Sequence, residues 1–547
     1  MSGSPALPCA ASAGPLLARV AGAGSAQPIT RGPAAARRLL PVLAVALLSG
    51  HVGSPDTWFE GAAGPYPIQV VVSTPGVVPG LADVVIRLPE AGVSRVLVTS
   101  ARYEVIGGEG GASIPPPPDV AEPVAGEPGL YAVRLWFMAR GSHRVDVTVE
   151  GDAGVGRVAV PVMAQATARL DMAGATGVGL AIAALFLVAG LLTIVRAAVR
   201  ESVVEPGRDP VAPRERRARF AVAGAAVLVA LILFGGWRWW DAVDSTYRAR
   251  LDRPWSSAAT ATATDGGRVL GFEITDSLWI MRRDTTWLRV NFRYPRTALV
   301  EDHGKLMHLF LVREPALDAF AHLHPSTRDS IAFRAPLYDL PAGSYRVYAD
   351  VVQESAATQT MVAEVTVPAA TAPVTGSGPP PESVGDPDDA WWTADAAGAS
   401  RGPDAFPLES GLTMRWERPD GPIRVGQPLS LRFRVVEETG GPVALQPYMG
   451  MAGHAMINRD DGGVFVHLHP TGSVPMAARM MAERQVGIDS AMPEMEGSAR
   501  IEDGRVAFPY AFPSPGSYRV WVQVRRAGGG VLTGAFDLEV EEAAPAP

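Results

Sequence analysis

Two hexapeptides hold the residues best suited to chemistry in this chain. FAHLHP spans Phe320 to Pro325 and FVHLHP spans Phe465 to Pro470, and together they contain four of the nine histidines in 547 residues. A lone histidine precedes each pair: His308 stands 14 residues before His322, and His454 stands 13 before His467. In extended chain, side chains at i and i+2 point to the same face. His322 and His324 are then cofacial, as are His467 and His469, while Leu323 and Leu468 turn toward a core. The intervening stretches, REPALDAF and RDDGGVF, have hairpin length. A hairpin returns the second strand beside the first and brings three imidazoles within reach of one point. Three neutral imidazoles from neighbouring strands suit Cu(II) or Zn(II).

Methionine shifts the balance toward copper. Met449, Met451 and Met456 surround His454, and Met476, Met480, Met481, Met492 and Met495 follow, so eight of the sixteen methionines lie between 449 and 495. A thioether is a soft ligand that selects Cu(I) and adds little to a zinc site. The first cluster has only Met307 beside His308, with Asp302 and His303 upstream, a harder set that favours Cu(II) or zinc. The candidate ligands are therefore His308, His322, His324, His454, His467 and His469, supplemented by Met307, His303, Met449, Met451 and Met456. Two other readings stand beside this one. Methionine clusters also serve as adaptable core filling, and a repeated HxHP can hold a strand end or act as a proton switch. His51 is a weak further candidate, and His143 reads as structural. No GxxxxGK, HExxH or CxxC occurs, and no general base stands out, so a binding protein is expected rather than an enzyme.

The elements that must position these residues form a duplication. LSLRFRV (Leu429 to Val435) answers LRVNFRY (Leu288 to Tyr294), HAMIN answers HLFLV, and GSYRV occurs in both blocks, at Gly343 and Gly516. Order and spacing hold over about a hundred residues, as expected of a repeated β unit. Upstream, Ile68–Thr74, Ala82–Leu88, Ser94–Ser100, Tyr131–Phe137 and His143–Glu150 alternate with period two between proline and glycine turns, a sandwich pattern. The fold class expected is mainly β, with three immunoglobulin-like sandwiches at 51–170, 265–368 and 405–540, the last two a tandem repeat. The alanine-threonine tract closing 241–264 reads as a flexible lead-in. The proline- and acid-rich segment 369–404 reads as a linker in which Trp391 and Trp392 dock locally, and 541–547 is a tail.

The stretches DHGKLMHLFLVREPALDAFAHLHPS and YMGMAGHAMINRDDGGVFVHLHPTG, each followed by a GSYRV strand, resemble secreted bacterial YtkA-like and related copper-resistance β-sandwich domains. The resemblance covers about 200 residues. It implies an immunoglobulin-like periplasmic domain tied to copper handling, and it nominates the same six histidines. The first block departs from the second by having DHGK where the second has YMGM.

Three apolar runs suggest the compartment. Leu39–Leu48 follows Arg37 and Arg38 and is too short to span a bilayer, so 1–50 reads as a signal peptide or, uncleaved, an N-terminal anchor. Uncharged runs at Met172–Val195 and Phe220–Gly236, the second followed by Trp237, Trp239 and Trp240, have the length and flanks of transmembrane helices, expected at 171–195 and 220–240. The loop between them, 196–219, carries seven arginines, and positive loops stay cytoplasmic. The expected place is the bacterial inner membrane, with the large domains in the periplasm. The formal net charge of -8 leaves no basic footprint for nucleic acid. The single cysteine, Cys9, excludes intramolecular disulfides and cysteine metal sites. An envelope protein partner is expected, and duplicated sandwiches serving only as interaction scaffolds are the alternative to metal handling. Reporters fused near Pro206 should read cytoplasmic, and those near Asp152 and Val374 periplasmic. A periplasmic signal at Pro206 would reverse this placement.

Overall fold

The computed structural model describes residues 51–52, 56–89, 91–103, 115–205, 207–264, 267–275, 279–281, 287–289, 295–369, 385–394, 404–488, 501 and 503–543. The chain divides into two units, one made of β-sheets and one dominated by two long helices. In the helical unit, α1 (Gly174–Glu201) and α2 (Ala212–Ala249) are long and apolar enough to cross a membrane. None of their apolar stretch is buried, unlike the core helix of a soluble protein. Arg196 and Arg200 converge on Glu215, at 2.7 and 3.1 Å. Helix α2 runs nine residues past the apolar stretch expected to end at 240. The segment 1–50, with its short apolar run, lies outside the described residues.

The first two-sheet unit contains the five strands anticipated from alternation. Asp56–Ala63, Tyr66–Ser73, Gly80–Arg87 and Leu130–Phe137 pair in order, with Glu122–Pro123 at one edge; Val93–Arg102, Gly141–Gly151 and Gly154–Ala164 form the other sheet with Asp119–Val120. Alternate residues of Tyr66–Ser73 are buried, as period two requires. His143 fits a structural role here, with Nε2 2.9 Å from the Ala139 carbonyl oxygen.

The two repeats have matching sheets. In the first, Ala319–Leu323, His308–Arg313, Gly343–Gln353 and Thr358–Val367 are neighbours. In the second, Val464–Leu468, His454–Arg459, Gly516–Arg526 and Val531–Glu541 follow the same order. Each sheet closes on a second one over a single core; in the second repeat that core joins Met414, Trp416, Phe433 and Phe508 to Ile457, Val466 and Val522.

Three expectations change. The alanine-threonine tract is a strand, Ser257–Thr264, paired throughout with Gly267–Ile274; its β-branched threonines suit a sheet better than a tether. Gly267–Ile274, rather than Leu288–Tyr294, occupies the place of Leu429–Val436, since each pairs with the strand entering the GSYRV turn. Of the expected strand only Leu288 and Arg289 are described, within Trp287–Arg289, which pairs in a separate small sheet. Finally, part of the presumed linker is built into the fold, because Ala390–Thr393 adds to the free edge of Ala319–Leu323 and Trp391 stacks on Tyr338 at 4.2 Å.

The repeated hexapeptides lie where the two repeats meet. Ala319, Ala321 and Leu323 enter the core of the first repeat, so Phe320 and His322 take the opposite face. Val464, Val466 and Leu468 do the same in the second. The outward faces then pack on each other. Phe320 of the first repeat stacks on Trp521 of the second at 4.7 Å, and Phe465 of the second stacks on Tyr348 of the first at 3.8 Å. Phe320 corresponds to Phe465 and Tyr348 to Trp521, so the contact is made twice, with the repeats exchanged. This pseudo-twofold relation follows from pairing two copies of one surface. All four rings are fully buried. Phe465→Ala should destabilise the cooperative unfolding of this unit by about 3–5 kcal/mol, read from denaturant melts. A loss under about 1 kcal/mol would mean that the repeats do not rely on this face.

Candidate metal centre

The face that carries the aromatic pairs also carries the histidines. Phe310 pairs with His322 across the first hairpin, which places His308 opposite His324 beyond the strand end; Met456 pairs with His467 across the second. Within each repeat the three rings adopt the same triangle. His308–His322, His322–His324 and His308–His324 lie 5.3, 4.5 and 5.2 Å apart. His454–His467, His467–His469 and His454–His469 repeat those distances. The two triangles touch, since His467 is 5.3 Å from His308 and 5.6 Å from His322. Two clusters expected to be separate are therefore one cluster, and His303 is its seventh member.

His303 is placed differently from the sequence reading. Its position in the chain groups it with the first repeat, but its ring lies 5.4 Å from His454 and 5.0 Å from His469, both in the second. The nitrogens of His303, His454 and His469 approach closely enough to share one ion, as do those of His308, His322 and His324. His467 falls in neither trio; its Nδ1 faces Asp350 Oδ2 at 3.5 Å. The reason is a turn at Asp302–Lys305 that carries His303 across the pseudo-axis.

All seven imidazoles are shielded from solvent. Burial, reinforced by the neighbouring histidines, holds His308, His322, His454 and His469 well below the usual imidazole range. Burial also lowers His303, against the opposing pull of Asp302. Such rings stay neutral at physiological pH, the form in which imidazole binds metal. Some nitrogens are occupied. His308 Nδ1 and His322 Nε2 are 3.1 Å apart, His308 Nε2 is 3.2 Å from the Asp302 carbonyl oxygen, and His322 Nδ1 is 2.9 Å from Gln523 Oε1. Others are not. Both nitrogens of His454 and the Nε2 atoms of His324 and His467 have no hydrogen-bond partner. Those of His303 and His469 meet no side-chain hydrogen-bond partner, only a poorly aligned backbone contact, with Met449 and Val474 respectively.

The presumed linker supplies functional residues that the sequence reading missed. Asp389 Oδ1 accepts from the His324 backbone at 2.8 Å and lies 3.1 Å from its Nδ1, while Oδ2 accepts from Tyr338. Asp388 binds Lys305 of the first repeat at 2.8 Å and Arg525 of the second at 2.6 Å. His324, Asp386 and Asp389 form a further potential ligand group. Proline and acid content masked this, because the segment has no apolar pattern; the DPDD run before Trp391 was the available signal.

The methionines divide. Met307 points into the core of the first repeat and away from His308, as adjacent strand residues must, so it is not placed as a ligand. Met456 shares the histidine face but packs among Phe310, Phe465 and Trp521. Met451 is half-buried in the turn it closes, and Met449 is buried at that turn's tip. Met476, Met480 and Met481 lie on the short helix α3 (Met476–Gln485); Met492 and Met495 fall outside the described residues.

Comparison with known proteins adds little. A family described as a domain of unknown function (DUF8832) matches residues 409–542, which is the second repeat. No curated protein matches. Among solved structures, a tetra-tandem repeat of a large adhesion protein is 10% identical, covering 86% of this chain and 72% of its own, with a TM-score of 0.14. A putative membrane anchored protein from Corynebacterium diphtheriae is 10% identical, with 90% and 96% covered and a TM-score of 0.13. The native conformation of Escherichia coli alpha-2-macroglobulin is 10% identical, with 90% and 23% covered and a TM-score of 0.17. Likeness at this level carries no argument about function.

Proposed function

We propose that the chain is a membrane-anchored, extracytoplasmic metal-binding protein, with copper as its preferred ion and zinc as the second candidate, used in metal handling, sensing or delivery. Its three two-sheet units are read as immunoglobulin-like sandwiches, held at the bacterial inner membrane by α1 and α2 with the arginine-rich connection on the cytoplasmic side. The resemblance of both histidine blocks to copper-resistance domains supports this reading.

One observation carries the metal assignment: buried, neutral imidazoles from two repeats converge with several ring nitrogens left unpaired. A buried polar atom without a partner costs about 1–3 kcal/mol, which a bound ion offsets. Three imidazoles suit Cu(II) or Zn(II), and His303, His454 and His469 offer such a set, whereas in the other trio His308 and His322 already share a hydrogen bond with each other. Asp389 beside His324 and Gln523 beside His322 are the hydrogen-bond partners that fix ring orientation in such centres.

His454→Leu separates ligand from scaffold, because both nitrogens of His454 lack partners and the ring is fully buried. Replacing an unsatisfied buried polar group by an apolar one of similar size is expected to leave the metal-free protein within about 1 kcal/mol of its stability or to stabilise it. The same change should abolish retention of an ion after gel filtration of the full chain loaded with Cu(I), Cu(II) or Zn(II). Lost stability with unchanged metal content would instead assign His454 a structural role.

The pH dependence of the metal-free protein has a defined sign. Histidines held neutral in the fold and titrating near 6.5 when unfolded leave stability complete above about 6.5. As pH falls below that value the unfolded state takes up protons that the fold excludes, and stability drops by up to about 1.4 kcal/mol per pH unit for each such histidine. Thermal melts between pH 7.5 and 5 should show a steady fall; a flat profile would contradict the neutral cluster.

A further inference from the structure

Both repeats place a two-residue turn beside the histidines. Asp302 and Lys305 exchange both backbone hydrogen bonds, at 2.9 and 3.0 Å, and Tyr448 and Met451 do so at 2.8 and 3.2 Å. The central residues have positive φ in each turn: His303 at 54° and Gly304 at 76°, Met449 at 49° and Gly450 at 83°. This is the type I′ arrangement, whose first central position favours Asn, Asp or Gly. Histidine and methionine there hold a left-handed backbone at a cost, and such strain concentrates at functional sites. Both are also withdrawn from solvent, with the His303 side chain 0% exposed and Met449 9% exposed.

The two turns are equivalent in the duplication and meet across the pseudo-axis, where the His303 ring approaches the Met449 backbone. His303 reaches His454 and His469 in the other repeat. Exchanging the repeats maps His303 onto Met449, His454 onto His308 and His469 onto His324, and the 5.2 Å spacing of each histidine pair is the same. We propose that the thioether of Met449 completes a metal centre with His308 and His324, as His303 does with His454 and His469, so that each repeat's turn tip supplies a ligand to the other repeat's histidine pair. The proposal rests on the metal-binding reading and deepens it, because the two centres are then unlike. The His303 centre has three imidazoles and suits Zn(II) or Cu(II). The Met449 centre has two imidazoles and a soft thioether, and selects Cu(I). His322, tied to Gln523, stands beside the second centre.

The test uses the full chain in detergent, titrated with Cu(I) against a chromophoric chelator under reducing conditions and, separately, with Zn(II). Met449→Asn installs the residue this turn prefers, and Met449→Leu keeps the shape without the sulfur, so between them lost binding is separable from a damaged fold. Both should weaken one Cu(I) ion by about tenfold or more and leave the tightest Zn(II) site unchanged. Met449→His should add a second tight Zn(II) ion, and His303→Met should remove the first. Cu(I) affinity within about twofold of wild type in both Met449 variants, a margin well inside the effect of losing a ligand, would overturn this assignment while leaving metal binding itself intact. A wild-type chain that retains neither ion would overturn both.

Discussion

The structure depends on placing seven imidazoles in an interface from which water is excluded. Burial favours the neutral ring at five of them, His303, His308, His322, His454 and His469, and each nitrogen that lacks a partner there costs about 1–3 kcal/mol. Several such atoms together approach the whole net stability of a typical domain, about 5–15 kcal/mol. The stacked rings of Phe320 on Trp521 and Tyr348 on Phe465 hold the two sheets together against that cost. A face built only for adhesion between repeats would use more aromatic or aliphatic residues. The retention of polar rings at its centre is what makes a ligand the economical explanation.

Duplication explains how one chain builds such a site. A single repeat presents a histidine triangle on one sheet face; two copies facing each other bury both triangles and bring the first repeat's turn tip, His303, over the second repeat's rings. On the proposed reading, sequence divergence at that tip, His303 in one repeat and Met449 in the other, differentiates the two centres without changing the scaffold. The segment 385–394 ties the halves further, since Asp388 binds Lys305 on one side and Arg525 on the other. Its Asp389 orients His324. Loosening this segment would relax both the interface and one ligand.

Much of this was legible in the sequence, for identifiable reasons. Period-two alternation exposed the strands of the first two-sheet unit, and the inward direction of Leu323 and Leu468 followed from their place between two histidines. The shared GSYRV strand revealed the duplication. The contact between repeats was not legible, because Phe320 and Phe465 look like core residues of their own sheets until the partner face is seen. The placement of His303 depended on a tight turn crossing a pseudo-axis, which spacing along one chain does not encode. The Ser257–Thr264 strand was missed because alanine and threonine in alternation carry too little apolar weight, and the 390–393 strand because prolines and acids surround it.

The central claim is that metal sits between the two repeats, held by histidines of both. An anomalous-difference map from crystals of the metal-loaded chain, collected at the absorption edge of the ion, tests it most directly. The account predicts density inside the ring of seven histidines, with His303 of the first repeat and His454 and His469 of the second around one peak. Peaks confined to surface residues, or a map without a peak at this interface, would contradict it.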